Sequence, residues 1–209
     1  VREKLGGEVV VCPMGPQRVK SVIKDALARG ADRAIHVVGD NLTHLSPFAA
    51  AKVLADAIRG ENPDLVMTGL QSDDHGYGQT GVIMAELLRL PHATIVIEVD
   101  AAADKFRVKR ELESGWYQWY TMPLAALLTI QFGISQIRYA TFKGILAAKK
   151  KEIKEVTVPA EIVDRPSHQR IEKVYLPQKT KQTQMLGNGD AKAGAAELAQ
   201  KLHTEARVY

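Results

Sequence analysis

A chain of 209 residues, 45% hydrophobic and 25% charged, is long enough for one good-sized domain with its own core. A net charge of +4, from 28 Lys and Arg against 24 Asp and Glu, is too mild for a nucleic-acid binder, which concentrates a basic face. One cysteine and six scattered histidines exclude an internal disulfide and a zinc pattern, and no apolar run reaches the length of a membrane span. With no signal peptide visible, a cytoplasmic, reducing setting without membrane insertion is expected. The chain opens Val1-Arg2-Glu3-Lys4, without methionine, so its true N-terminus is expected to be missing.

Val9 to Cys12 reads as a short buried strand ended by Pro13 and Gly15-Pro16. Val19, Val22, Ile23, Ala26 and Leu27 follow at helical spacing and stop at Gly30. Ala34 to Val38 is a second strand. Ser46-Pro47 opens a helix, serine as cap and proline at the first helical position, with Ala50, Val53, Leu54, Ala57 and Ile58 on one face. Leu65 to Thr68 is a third strand ended by Gly69. A Gly- and Asp-rich loop leads to a helix over Thr80 to Leu90, and Thr94 to Val99 is a fourth strand. This alternation predicts an α/β fold with a doubly wound, mainly parallel sheet.

After Asp100 the pattern changes. Phe106 to Leu112 alternates apolar and polar residues, and Ser114-Gly115 leads into Trp116-Tyr117-Gln118-Trp119-Tyr120, which predicts a β-hairpin insertion. Its aromatic rings read as packing for the sheet or a partner. Leu124 to Ile130 is expected to rejoin the sheet, and Phe142 to Lys151 forms a short helix. The basic run Lys149-Lys150-Lys151, with Lys143 and Lys154 nearby, reads as a solvated helix end. Pro159 to Gly189 reads as an extended arm with a short strand at Ile171 to Leu176. Asp190 then caps a final helix to about Glu205. The expected division is a nucleotide-binding α/β domain, 1–158, and a partner-docking arm with its helix, 159–209.

The segment that carries chemistry runs from Gly69 to Gly81, between a buried strand and a helix, where open α/β sheets gather ligands. Gly76 and Gly78 permit close backbone approach. Free amides opening the helix near Gln79 to Val82 favour a phosphate, with a hydroxyl from Thr80 and an amide from Gln79 in support. Asp73 and Asp74 would repel that phosphate, so they are expected to meet ribose hydroxyls or to cap the turn. Adjacent carboxylates diverge on an extended chain and make a poor acid/base pair. Ser72 has no nucleophile elbow, and Cys12 reads as a small core hydrophobe. No stand-alone catalyst is expected.

Gly30-Ala31-Asp32-Arg33-Ala34-Ile35-His36, the Asp64–Gly81 segment, Pro91-His92-Ala93-Thr94, Arg138-Tyr139-Ala140 and Ala147-Ala148-Lys149-Lys150-Lys151 together resemble the electron-transfer flavoprotein beta subunit. The likeness runs in order from about Glu8 to Val158 and, more loosely, to the C-terminus. It implies an adenine-nucleotide-binding, Rossmann-like domain in a heterodimer with an alpha subunit. One FAD sits mainly in the alpha subunit and carries electrons from acyl-CoA dehydrogenases of fatty acid oxidation, or other dehydrogenases, to a quinone oxidoreductase. The beta subunit holds a structural AMP. Carried over by position, the AMP site takes Met14, Gly69, Gln71, Ser72, Asp73, Asp74, Gly78, Gln79, Thr80 and Gly81. The family's partner-docking loop lands on Pro159 to Gln169, with Ile162 as its apolar anchor.

The family's first strand, and the Asn-Pro segment after it, have no counterpart here, so the sheet is expected to lack a central member. Electron-bifurcating members bind a second FAD in place of AMP. The Gly78-Gln79-Thr80-Gly81 loop is closer to the AMP type, although Ser72-Asp73-Asp74 is not its commonest version. Two other classes compete with the carrier. A stand-alone stress-type nucleotide-binding domain would need neither the arm nor the hairpin. An ATP-pyrophosphatase-like enzyme would need a Ser-Gly-Gly phosphate loop where Pro13-Met14-Gly15-Pro16 stands.

Overall fold

The computed structural model of the protein describes residues 1–40, 42, 45–163, 172–178 and 183–208. The chain divides into two compact units, Val1–Arg170 and Ile171–Tyr209.

The first unit opens with a four-residue helix, α1 (Arg2–Leu5), which the sequence pattern did not suggest. Surface ion pairs hold it: Arg2 to Asp32, Glu3 to Arg138 and Lys4 to Asp100. The first strand comes in two pieces, β1 (Val10–Val11) and β2 (Met14–Gly15). Both pair in parallel with β3 (Arg33–Val38) in one continuous register, Val10 opposite Arg33 and Met14 opposite Val37. Contrary to the sequence reading, the strand therefore does not end at Pro13. Proline lacks a donor and breaks the ladder locally, yet its carbonyl still accepts from the Val37 amide at 2.9 Å. Helix α2 (Lys20–Ala28) buries Ile23 and Leu27 against Ala34 and Ala148. Full burial of such a side chain contributes about 1.5–3 kcal/mol.

Helix α3 (Pro47–Arg59) starts as its sequence dictates. The Ser46 hydroxyl accepts from the Ala49 amide at 3.2 Å, with proline at the first position. Strand β4 (Leu65–Gly69), helix α4 (Thr80–Leu88) and strand β5 (His92–Ala101) follow. The hairpin is β6 (Lys105–Glu111) and β7 (Tyr117–Pro123), joined through a tight turn at Glu113–Gly115. Its outer face carries Tyr117 and Trp119 beneath the cations of Lys109 and Arg107, each 4.4 Å from a ring centre. Strand β8 (Ala126–Ile130) inserts between β4 and β5, parallel to both. Helix α5 (Phe142–Ala148), strand β9 (Ile153–Thr157) and the short helix α6 (Ala160–Val163) follow.

The strands do not form one sheet. One parallel sheet has β3 flanked by β1/β2 on one side and by β9 on the other. The second runs β4-β8-β5-β6-β7, parallel at first and then an antiparallel meander. Helices α3 and α4 close one face of the second sheet: Ala51, Ala55 and Ile58 meet Met84 and Ala85 over Val66 and Leu127. Leu128, one residue on, points to the opposite face and packs with Val96, Phe106, Val108 and Met122. Cys12 touches both the α3–α4 cluster and the Val37–Val53–Val158 cluster of the first sheet. Burial, and secondarily the Glu61 charge, pushes its thiol up to about 11, so it stays protonated and behaves as a core hydrophobe.

Two further expectations need correction. Lys151 is not part of a solvated helix end. It is half-buried, and its Nζ donates to the Leu27 and Ala31 carbonyls at the C-terminus of α2, a favourable place for a cation. Lys149 and Lys150 are exposed. The strand expected at Ile171 to Leu176 is not formed over Glu172–Leu176, which is irregular and exposed; Ile171 lies outside the described residues. In the second unit, α7 (Ala191–Thr204) begins as read: Asp190 Oδ1 accepts from the Lys192 amide at 2.9 Å and the Ala193 amide at 3.3 Å.

The Arg33 guanidinium is shared by two carboxylates, Glu8 and Glu61. Its hydrogen bond holds the Glu61 carboxyl below the ordinary carboxylate range, with its charge adding to the effect. A depressed folded-state pKa means that the unfolded chain binds more protons as the pH falls. The stabilisation is therefore complete above the ordinary value of 4.5 and is lost as acid titrates the folded carboxylate below it. Glu61→Gln should cost about 1 kcal/mol near neutrality. Denaturant midpoints of wild type and variant should converge as the pH drops below 4.5; a constant gap would refute the assignment.

Candidate functional site

The loop from Gly69 to Gly81 leaves the carboxyl end of β4 and enters α4. Gln71 to Asp74 are exposed, and Gly78 and Thr80 half-buried. Gly76 and Gly78 have φ of +61° and +60°, backbone that side-chain-bearing residues rarely adopt. The turn is tied by the Gly76 amide donating to the Ser72 carbonyl at 3.0 Å, and the His75 and Tyr77 rings stack with centres 5.5 Å apart.

Asp74 serves the turn. Ser72 and the His75 amide hydrogen-bond to its carboxylate and hold it below the ordinary range. Asp73 is exposed and has no hydrogen-bond or ion-pair partner among the described residues.

At the start of α4 the cap residue Gln79 makes no side-chain cap bond. The amides of Thr80, Gly81 and Val82 find no acceptor among the described residues; Ile83 is the first to donate, to the Gln79 carbonyl. Beneath them the buried Thr68 Oγ1 also lacks a partner. Gly81 brings the first turn against the sheet, since a Cβ there would lie 2.4 Å from Thr68 Oγ1 and 2.7 Å from Thr129 Cγ2. The result is a set of unused donors with the positive end of a helix dipole, which suits an anionic group. Thr68 was missed in the sequence. Its signal was a hydroxyl one residue before the glycine that ends a buried strand.

Met14 lies in the other sheet, on β2, packed on the Val37–Val53–Val158 cluster. Ile162, on α6, is half-buried and packs on that same cluster. The remainder of the expected docking loop, 164–169, lies outside the described residues. Among the described residues, no cluster of His, Cys, Asp and Glu could hold a metal ion, and no helix is long and apolar enough to cross a membrane.

A family model described as the electron transfer flavoprotein domain matches residues 1–161. The chain belongs to the electron transfer flavoprotein family. Its relatives include the electron transfer flavoprotein subunit beta of Methylophilus methylotrophus, 36% identical over 188 residues, 86% of this chain and 71% of that protein. The mitochondrial beta subunit of Oryza sativa subsp. japonica is 37% identical over 203 residues, 96% of this chain and 78% of that protein. The beta subunit of Bos taurus is 36% identical over 156 residues, 74% of this chain and 61% of that protein. The likeness to electron transfer flavoprotein beta subunits thus spans both sheets and the loop opening α4.

Proposed function

We propose that this chain is the beta subunit of a heterodimeric electron carrier, holding AMP as a structural ligand and helping to hold the FAD of an alpha subunit. The observation that carries the reading is the run of unpartnered amides opening α4, beside an exposed loop and above the unpartnered Thr68 hydroxyl. Those donors fit a nucleotide phosphate, with Gln79, Thr80 and Gly81 at its anionic end and Gly78 leaving room for close approach. Asp73 is free to accept from ribose hydroxyls. Gly69, Gln71, Ser72, Asp74 and Met14 complete the proposed lining. The flavin, when bound, supplies the redox chemistry; this chain supplies position, charge and exclusion of water. The proposed route runs from acyl-CoA or other dehydrogenases to a quinone oxidoreductase, with 1–158 as the nucleotide-binding part and 159–209, through Ile162, as the docking part.

The test is to co-express the chain with its alpha subunit, denature the purified complex, and identify the released nucleotides by absorbance and mass. One FAD with one AMP is the expected result. Two FAD per complex would replace AMP with the bifurcating arrangement, and absence of both partner and nucleotide would defeat the carrier reading. Thr80→Leu should lower AMP occupancy by about tenfold or more, because charge-assisted hydrogen bonds contribute about 1.5–3 kcal/mol. Full occupancy in that variant would place the phosphate elsewhere.

A further inference from the structure

Along the parallel pair of β5 and β8, His92 stands opposite Leu127, Ala93 opposite Leu128, and Val96 opposite Ile130. Thr94 and Ile95 therefore share one partner position, Thr129. Two residues against one make a β-bulge, a feature that is rare in parallel pairs. Its cost shows at Ile95, whose φ of +56° is left-handed backbone at a β-branched residue. Such backbone persists only where its surroundings enforce it.

Thr129 enforces it. The residue is buried, and its Oγ1 accepts from the Ile95 amide at 3.2 Å. Its Cγ2 faces the first turn of α4, where a Cβ on Gly81 would lie 2.7 Å away. Oγ1 and Cγ2 hang on one Cβ, and χ1 of a β-branched side chain is stiff. Neither branch can swing without the other. A push from the helix, or loss of its support, turns the side chain and takes the hydroxyl off the Ile95 amide.

Both ends of this contact lead further. The first turn of α4 carries the amides of Thr80, Gly81 and Val82, which find no acceptor among the described residues. At the bulge, Thr94 Oγ1 accepts from Arg110 Nη2 at 3.0 Å, which ties the bulge to β6 and so to the hairpin. Gly81, Thr129, Thr94–Ile95 and Arg110 thus form one continuous physical path across three strands, with the strained bulge at its centre.

We infer that Thr129 is a positioning residue that couples the opening turn of α4 to the β5 bulge, so that the nucleotide loop and the root of the hairpin change state together. The link stands on packing and one hydrogen bond; its service as a reporter of bound phosphate rests on the AMP reading. Hydrogen exchange resolved to single amides, on the complex with the alpha subunit, tests it. Exchange at Leu128, on the same strand as Thr129, measures global opening and is divided out. Gly81→Ala should speed Ile95 exchange about tenfold beyond Leu128. Adding Thr129→Ser removes the struck methyl and keeps the hydroxyl. Ile95 should then return to within about twofold of wild type, although the clash with Thr68 remains. Thr129→Val alone keeps the methyl and removes the acceptor. It should speed Ile95 and, because coupling is reciprocal, also the α4 amide of Ile83, by about threefold. That arm decides the question even where Gly81→Ala does not fold. Ile95 moving only in step with Leu128, no recovery with Thr129→Ser, or an Ile83 rate untouched by Thr129→Val would each overturn the link. Stripping AMP should speed Ile95 in wild type and not in Thr129→Val; no response in wild type removes the reporter role. A complex that carries no AMP sinks the nucleotide reading and leaves the variant arms standing.

Discussion

Gly81→Ala should destabilise the first unit by about 2–3 kcal/mol, the usual scale for forcing an extra methyl into a packed interior. The new Cβ would lie 2.4 Å from Thr68 Oγ1 and 2.7 Å from Thr129 Cγ2, distances that real Cβ atoms do not show. Neither neighbour yields easily. Both sit on strands paired to each other, Thr68 directly opposite Thr129. The helix must therefore lift from the sheet, carrying its opening amides with it. Thr68→Ala in the same chain removes the nearest atom, and denaturant midpoints should show recovery of part of the loss, a coupling of about 1 kcal/mol between the sites. If the double variant is as unstable as the sum of its parts, the contact is not what fixes α4. On the proposed placement of AMP, nucleotide content should fall with Gly81→Ala even where the chain stays folded, since the amides move.

Leu127→Ala should cost about 3–4 kcal/mol, within the range for large-to-small changes at fully buried sites. Leu127 has no exposed surface, and it lies under both α3 and α4 on the strand between β4 and β5. Cα partners on both sides, Val66 and His92, pin its backbone, so the surroundings cannot collapse into the space. Thermal or denaturant unfolding checks the magnitude. A loss below about 1 kcal/mol would mean that α3 and α4 close the gap themselves.

The order of strands and helices was legible in the sequence because its signals are local. Apolar β-branched runs gave β3, β4 and β8, Ser46-Pro47 gave the start of α3, and Asp190 that of α7. What depends on distant partners was not legible. Pro13 looks like a terminator, but on a strand paired from one side it only interrupts the ladder. Lys151 looks solvated until the end of α2, far away in sequence, is seen to need its donor. The loop opening α4 could be marked from its glycines and its place after a buried strand, whereas the Thr68 hydroxyl beneath it could not.

The split into two sheets has a practical consequence. Strand β4 pairs only with β8, and the β1/β2 strand only with β3, among the described residues. Each therefore keeps one rim of main-chain donors and acceptors without a strand partner among the described residues, and half-exposed Met67 adds a greasy handle on β4. Such rims recruit whatever extended polypeptide is at hand. An extended polypeptide that meets either rim can lengthen that sheet through main-chain hydrogen bonds alone, whatever its side chains.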